Sequence, residues 1–457
     1  MARAGPCPHS CANFLEVVTV SIHLELALDF QIRQCRGFCE LALRILADGT
    51  ETVLLDSNSL VIDCVRDISS LVDESAVSTA ETFSSLPVDA PADAGDLVAW
   101  TLPEHSLIFG HALCIPVPAQ LRRRGATFRI RIHYATSARS TGIQWLHAQQ
   151  TAGGDHPFCY TQGQAILART LLPCQDTPAV KAPFSARISC AAPLVAVCSG
   201  LSTTENVPLI SDGGKSLTYS WLQTNAIPAY LITIACGALH RAPVGPRSSV
   251  WAEKCMLAAS QAEFSEDTEK FIAAGEFVTG VSYDWGGTWD MVVLPSSFPY
   301  GGMENPNCCF LSASLLAGDR SLTNVVAHEI THSWAGNYVT NSNWSDFWYV
   351  KQLEFLCMIR MLSCRHLAVF IPHHAHMYTC KCRLNEGFTV YIERLILGEV
   401  HASAAVRDFE ILIGLYSSLL RGLVLQTESE LIRILIFEFT LAFTVSYRIQ
   451  GADKDDC

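Results

Sequence analysis

Basic residues are scarce in this chain. Lys and Arg number 31 against 44 Asp and Glu, for a formal net charge of -13. The one basic run is Arg122-Arg123-Arg124, which reads as a solvated turn. With no basic face to meet phosphates, nucleic acid is excluded as the expected partner. Charged residues are only 16% of the chain and hydrophobic ones 49%, which excludes a disordered chain. Long uncharged apolar runs are also missing. The nearest, Leu431 to Tyr447, is interrupted by Arg433 and Glu438, so it reads as a buried helix or strand and no membrane span is expected. An N-terminal signal is lacking by the same criterion. Met1 to Asn13 is polar, and Glu16, His23 and Glu25 break the apolar stretch that follows. What is plentiful is cysteine. The 19 thiols are odd in number and scattered over the whole length, unlike a disulfide framework, so reduced and mostly buried thiols in a cytoplasmic protein are expected.

A length of 457 residues calls for two or three domains. From about Phe14 to His240 the apolar residues alternate with period two. His23-Leu24-Glu25-Leu26-Ala27-Leu28-Asp29 and Phe128-Arg129-Ile130-Arg131-Ile132-His133-Tyr134 do so strictly, with turn signals such as Asp48-Gly49 between strands. This predicts an antiparallel β domain over residues 1–240. From Val250 the period changes. Trp251 to Ala274 reads as helix and Trp289 to Pro295 as a short buried strand, followed by a Gly/Pro-rich loop and another helix. A mixed α/β domain over residues 241–457 is therefore expected.

The second helix carries the chemistry. In His328-Glu329-Ile330-Thr331-His332 the two imidazoles stand about 40° apart around a helix and can share one Zn²⁺. Glu329, between them, can take a proton from a zinc-activated water without being a ligand. Ser321 is the expected N-cap, Leu322, Val326, Ile330 and Trp334 the apolar stripe, and Gly336-Asn337 the stop. The five-residue pattern alone arises by chance in roughly one chain of this length in forty, so its context matters. Upstream lies Phe298-Pro299-Tyr300-Gly301-Gly302-Met303-Glu304-Asn305-Pro306. Its paired glycines let a backbone approach a ligand closely, and its carboxylate can hold an ammonium group.

Together, Gly301-Gly302-Met303-Glu304-Asn305 and the His-Glu helix closely resemble the zinc aminopeptidases of peptidase family M1 (gluzincins), in particular the leukotriene A4 hydrolase and aminopeptidase B branch. Gln162-x-Gln164-Ala165-Ile166, Leu172-Pro173-Cys174-Gln175-Asp176-Thr177-Pro178, Leu316-Ala317-Gly318-Asp319 and His332-Ser333-Trp334-x-Gly336-Asn337 are similar to the same branch and stand in the family order. The resemblance implies a saddle-like β domain followed by a thermolysin-like zinc domain. It makes His328 and His332 ligands of one Zn²⁺ per chain, Glu329 the general base, and Glu304 the group that binds a peptide's free α-amino end. Gln164 and the Gly301-Gly302-Met303 backbone would shape the pocket. Epoxide hydrolase activity on a fatty-acid-derived epoxide follows from the resemblance alone.

Two departures accompany it. At the spacing where the family places its third ligand, a Glu in a Leu-Asn-Glu-Gly context, this chain has Lys351, whose ammonium cannot ligate zinc. The expected block appears instead at Leu384-Asn385-Glu386-Gly387, so that residues 349–383 read as an insertion and Glu386 as the third ligand in preference to Glu354. The Cys and His residues within 349–383 match no finger spacing. The branch's Pro-Tyr-Glu-Lys-Gly context does not occur after Glu386, so a truncated chain lacking that tyrosine and the branch's C-terminal helical domain is expected. The leading expectation is a zinc aminopeptidase. The alternative is a catalytically impaired family member that at most binds zinc or peptide, while an endopeptidase is disfavoured because Glu304 would obstruct the subsites beyond the first residue.

Overall fold

The computed structural model describes residues 7–71, 91, 93–106, 109–344 and 385–401. The predicted insertion, with Lys351 and Glu354, lies outside them, as does the apolar run from Leu431 to Tyr447. The alternating segments become strands as expected. Val17–Asp29 buries seven of its thirteen side chains, Leu24 and Leu26 among them, whereas Thr127–Thr136 buries seven of ten, Ile130 and Ile132 with Arg131. They belong to a nine-stranded sheet in the order Leu201–Ser202, Ser216–Pro228, Lys181–Ala191, Val17–Asp29, Gln34–Ile45, Thr127–Thr136, Leu60–Asp67, Asp96–Val98, with Leu209–Ser211 attached at Ser216–Pro228. This sheet is not wholly antiparallel. Val17–Asp29 runs parallel to Lys181–Ala191, with Leu24 opposite Ala186, a long-range pairing that alternation cannot reveal because it fixes faces and not partners.

The sheet that carries the functional loop is mixed. Its order is Leu239–Gly245, Ser248–Glu253, Met291–Leu294, Cys309–Ser312, Gly302–Met303. Met291–Leu294 is buried at every position and parallel to both neighbours, which is why its sequence is a continuous apolar run. Trp251, expected in a helix, sits instead in the strand Ser248–Glu253, and helix α1 begins at Lys254 and ends at Phe264. The all-buried strand has no period-two signature, so it merges with the helical pattern beyond it. Helix α2, Thr268–Thr279, ends on left-handed Gly280. Helix α3, Asn324–Thr331, carries the His-Glu pattern, and helix α4, Glu386–Val400, packs against both α2 and α3. Glu253, the last residue of the strand Ser248–Glu253, accepts from two loop amides, Ala152 N at 2.8 Å and Gly153 N at 3.2 Å.

Among the described residues fourteen cysteines are free; ten are buried, three half-buried and one exposed. No helix among these residues is long and apolar enough to cross a membrane. One buried ion network was not foreseen. The guanidinium of Arg169, wholly buried, bonds Asp176 Oδ2 at 2.8 Å, lies 3.4 Å from Asp56 Oδ1, and donates to the carbonyls of His9 and Phe109. Asp56 in turn accepts from Ser10 Oγ, Cys11 N and Asp176 N. It pins the N-terminal segment to the loop that follows Arg169. Replacing Arg169 by Met leaves two carboxylates buried without their cation, and urea denaturation is expected to show a loss of about 3–5 kcal/mol.

Candidate active site

Helix α3 is shorter than its sequence pattern suggests. Thr323, not Ser321, is the flanking residue, and the α-helix closes at Thr331 with His332 as its C-terminal cap. Ser333 N and Trp334 N then fold back on Ile330 O and Thr331 O in tighter turns. Val326, Ile330 and Trp334 are buried as the stripe requires, while Leu322 is partly exposed. Gly336, at φ 129, lets the turn after α3 meet the start of α4. A Cβ there would come within 2.6 Å of Asn385 Oδ1 and 2.9 Å of His332 Nδ1.

This packing brings Glu386, the first residue of α4, to the two imidazoles. Glu386 Oε2 is 3.4 Å from His328 Nε2 and 3.6 Å from His332 Nε2, and the two Nε2 atoms are 3.1 Å apart. The outer nitrogens are occupied. His328 Nδ1 faces Glu393 Oε2 at 3.0 Å, and His332 Nδ1 faces Ala335 O at 3.0 Å and Thr389 Oγ1 at 3.1 Å. With both Nδ1 hydrogens donated outward, two Nε2 lone pairs confront each other across 3.1 Å, which is repulsive unless a cation or a proton lies between them. Four-coordinate zinc with bonds of about 2.1 Å sets its ligand atoms about 3.4 Å apart. The residues present therefore fit a tetrahedral divalent ion with one open position.

Glu329 and Glu304 line the other side. Both are buried, and Glu329 Oε2 and Glu304 Oε1 have no hydrogen-bond partner. With His332 their side-chain ligand atoms form a second close group. Gly302 makes room for Glu329, since a Cβ there would lie 2.3 Å from Glu329 Oε1. Gly302–Met303 is the edge strand of the mixed sheet, paired with Leu311 and Phe310. Gly301 accepts from Ser312 N, and Met303 Sδ lies 3.2 Å from Gln162 Nε2. Gln164 is half-buried on the same loop as Gln162, but among the described residues it makes no hydrogen bond to Gly301, Gly302, Met303 or Glu304.

Four carboxylates, Glu304, Glu329, Glu386 and Glu393, thus surround two imidazoles. Burial pushes Glu329 up to about 7, against the pull of His328 and His332, and burial raises Glu304 likewise. For His332 burial works downward but Glu304 and Glu386 outweigh it, giving about 9. Burial of Glu386 is overcome by the two imidazoles, which hold its carboxyl well below the usual range. A site so eager for protons offers the same negative charge to a metal ion.

Glu393, Thr389 and Ala335 O were missed in the sequence. Glu393 follows Glu386 by two helical turns and so shares its face; that spacing was a usable signal. One helix therefore touches His328 at both nitrogens. For Glu393→Gln, zinc affinity is expected to fall by roughly 10–100-fold with the fold intact, read by competition with a chelator.

Residues 18–231 match the Peptidase M1 N-terminal domain and residues 264–363 the Peptidase family M1 domain. Leukotriene A-4 hydrolase of Xenopus laevis is 35% identical over 393 residues, covering 86% of this chain and 53% of the relative. Aminopeptidase B of Mus musculus is 36% identical over 397 residues, 85% of this chain and 51% of its own. The structure of yeast LTA4 hydrolase in complex with bestatin is similar with a TM-score of 0.71 and 32% identity, over 94% of this chain and 56% of that one. The chain spans about half the length of these relatives. With a β-rich N-terminal domain followed by a catalytic domain like that of LTA4 hydrolase, and with both family domains matched in order, the chain belongs to peptidase family M1.

Proposed function

We propose that the chain is a zinc-dependent aminopeptidase, with one Zn²⁺ held by His328, His332 and Glu386 and the free N-terminus of a peptide held by Glu304. The convergence of the three ligand atoms beside two buried carboxylates with unpartnered oxygens carries this reading. Bound zinc would polarise the scissile carbonyl and acidify the attacking water. Glu329 takes that water's proton and returns it to the departing amine, a task suited to a carboxyl group held near neutrality by burial. Glu304 pairs with the substrate ammonium and so limits cleavage to the first residue. Gly302 and Met303, the edge strand of the mixed sheet, with Gly301 before them, offer main-chain groups to an extended peptide, and Gln164 completes the pocket wall. The charges balance on this assignment. Four carboxylates meet a divalent ion, an ammonium and the proton that Glu329 receives.

Residues 1–240 act in this reading as the supporting β domain and 241–457 as the catalytic domain, in a cytoplasmic setting. The test is metal analysis with hydrolysis of an aminoacyl amide and of its N-acetyl counterpart, a leukotriene-type epoxide being assayed alongside. One zinc per chain with turnover of the free amine alone supports the proposal. Zinc without turnover favours a catalytically impaired relative that binds metal, and absence of zinc overturns the assignment.

A further inference from the structure

The main chain of Glu304, not its carboxylate, is held from an unexpected direction. Asn337, in the turn after α3, donates from Nδ2 to Glu304 O at 2.7 Å, and its own N–H bonds His332 O at 3.0 Å. Its Oδ1 is buried without a partner, so the side chain is placed by the Nδ2 bond and by its backbone. That backbone is gripped by Lys181, the first residue of the strand Lys181–Ala191 in the large sheet. Lys181 Nζ donates to Asn337 O at 3.0 Å and to Tyr338 O at 3.1 Å. The ammonium thus bridges two successive main-chain carbonyls of the turn, and Thr340 Oγ1 also donates to the first of them at 3.1 Å. Lys181 is half-buried, and that burial lowers it to about 8. The strand that presents it lies inside the nine-stranded sheet, and Lys181 itself pairs with Pro228 of the neighbouring strand Ser216–Pro228.

We infer that Lys181 is a positioning residue for recognition of the substrate amine: from the β sheet it fixes Asn337, and through Asn337 it fixes Glu304. The inference rests on Glu304 being the amine-binding group. It makes the large sheet a working part of the site and not only a support.

The test uses the zinc-loaded full chain and two probes, leucine amide and N-acetyl-leucine amide, with binding measured by calorimetry. In Lys181→Met the affinity for leucine amide is expected to drop roughly five- to tenfold, the low end of coupling between linked sites. The N-acetyl compound should bind as before, zinc should stay at one per chain, and Lys181→Arg should restore most of the loss. Asn337→Ser, which removes the amide but leaves Lys181 in place, should give the same selective loss and serves if the Met variant does not fold. Unchanged affinities in Lys181→Met, or equal loss for both probes, would overturn the role of Lys181. Failure of the unsubstituted protein to prefer the free amine would instead overturn the reading of Glu304 itself.

Discussion

Glu329→Gln is expected to keep one zinc per chain and to lower kcat on an aminoacyl amide by about a hundred- to ten-thousandfold, with KM little changed. The amide matches the carboxylate in size, so the cradle formed by Gly302 accepts it without displacement. It cannot take a proton from water at neutral pH. Because His328, His332 and Glu386 converge on one point without help from Glu329, metal content and rate should separate. Atomic absorption and steady-state kinetics on one preparation check both. Loss of zinc in this variant would make Glu329 a ligand, and retention of rate would remove it from proton transfer.

Glu386→Ala should have the opposite signature, with zinc lost first and rate lost as a result. Two imidazoles at 3.1 Å remain, but the negative charge closing the triangle is gone. The affinity should fall by more than the roughly 10–100-fold that an outer partner of a ligand contributes, so Glu386→Ala must exceed Glu393→Gln in a chelator competition. If it retains full zinc, the third ligand lies elsewhere. Glu304, grouped with His332 and Glu329, is then the next candidate.

The sequence exposes those parts of the site whose geometry is local. His328, Glu329 and the capping His332 belong to one helix end, and Gly301 and Glu304 flank the two-residue strand Gly302–Met303, so spacing alone places them side by side. Glu386 was legible only through its Leu-Asn-Glu-Gly surroundings, since nothing in a one-dimensional pattern says that α4 returns to α3. Lys181, Asn337 and the Arg169 network were invisible for the same reason. Each depends on two segments far apart in the chain, and each uses a residue type that is usually solvated. In the fold, alternation revealed the half-buried strands. It missed Ser248–Glu253, because a strand buried on both faces has no polar side to mark its period.

That α4 reaches both nitrogens of His328 gives the ion a mechanical part beside its chemical one. Zinc held by α3 and α4 as proposed would rivet two helices that are distant in the chain, so that its occupancy and the docking of α4 would rise and fall together. At free zinc a hundred times Kd the rivet contributes about 2.7 kcal/mol to the docked form. Chelation should therefore loosen α4 before it disturbs the β sheets, and hydrogen exchange along residues 386–400 would record it.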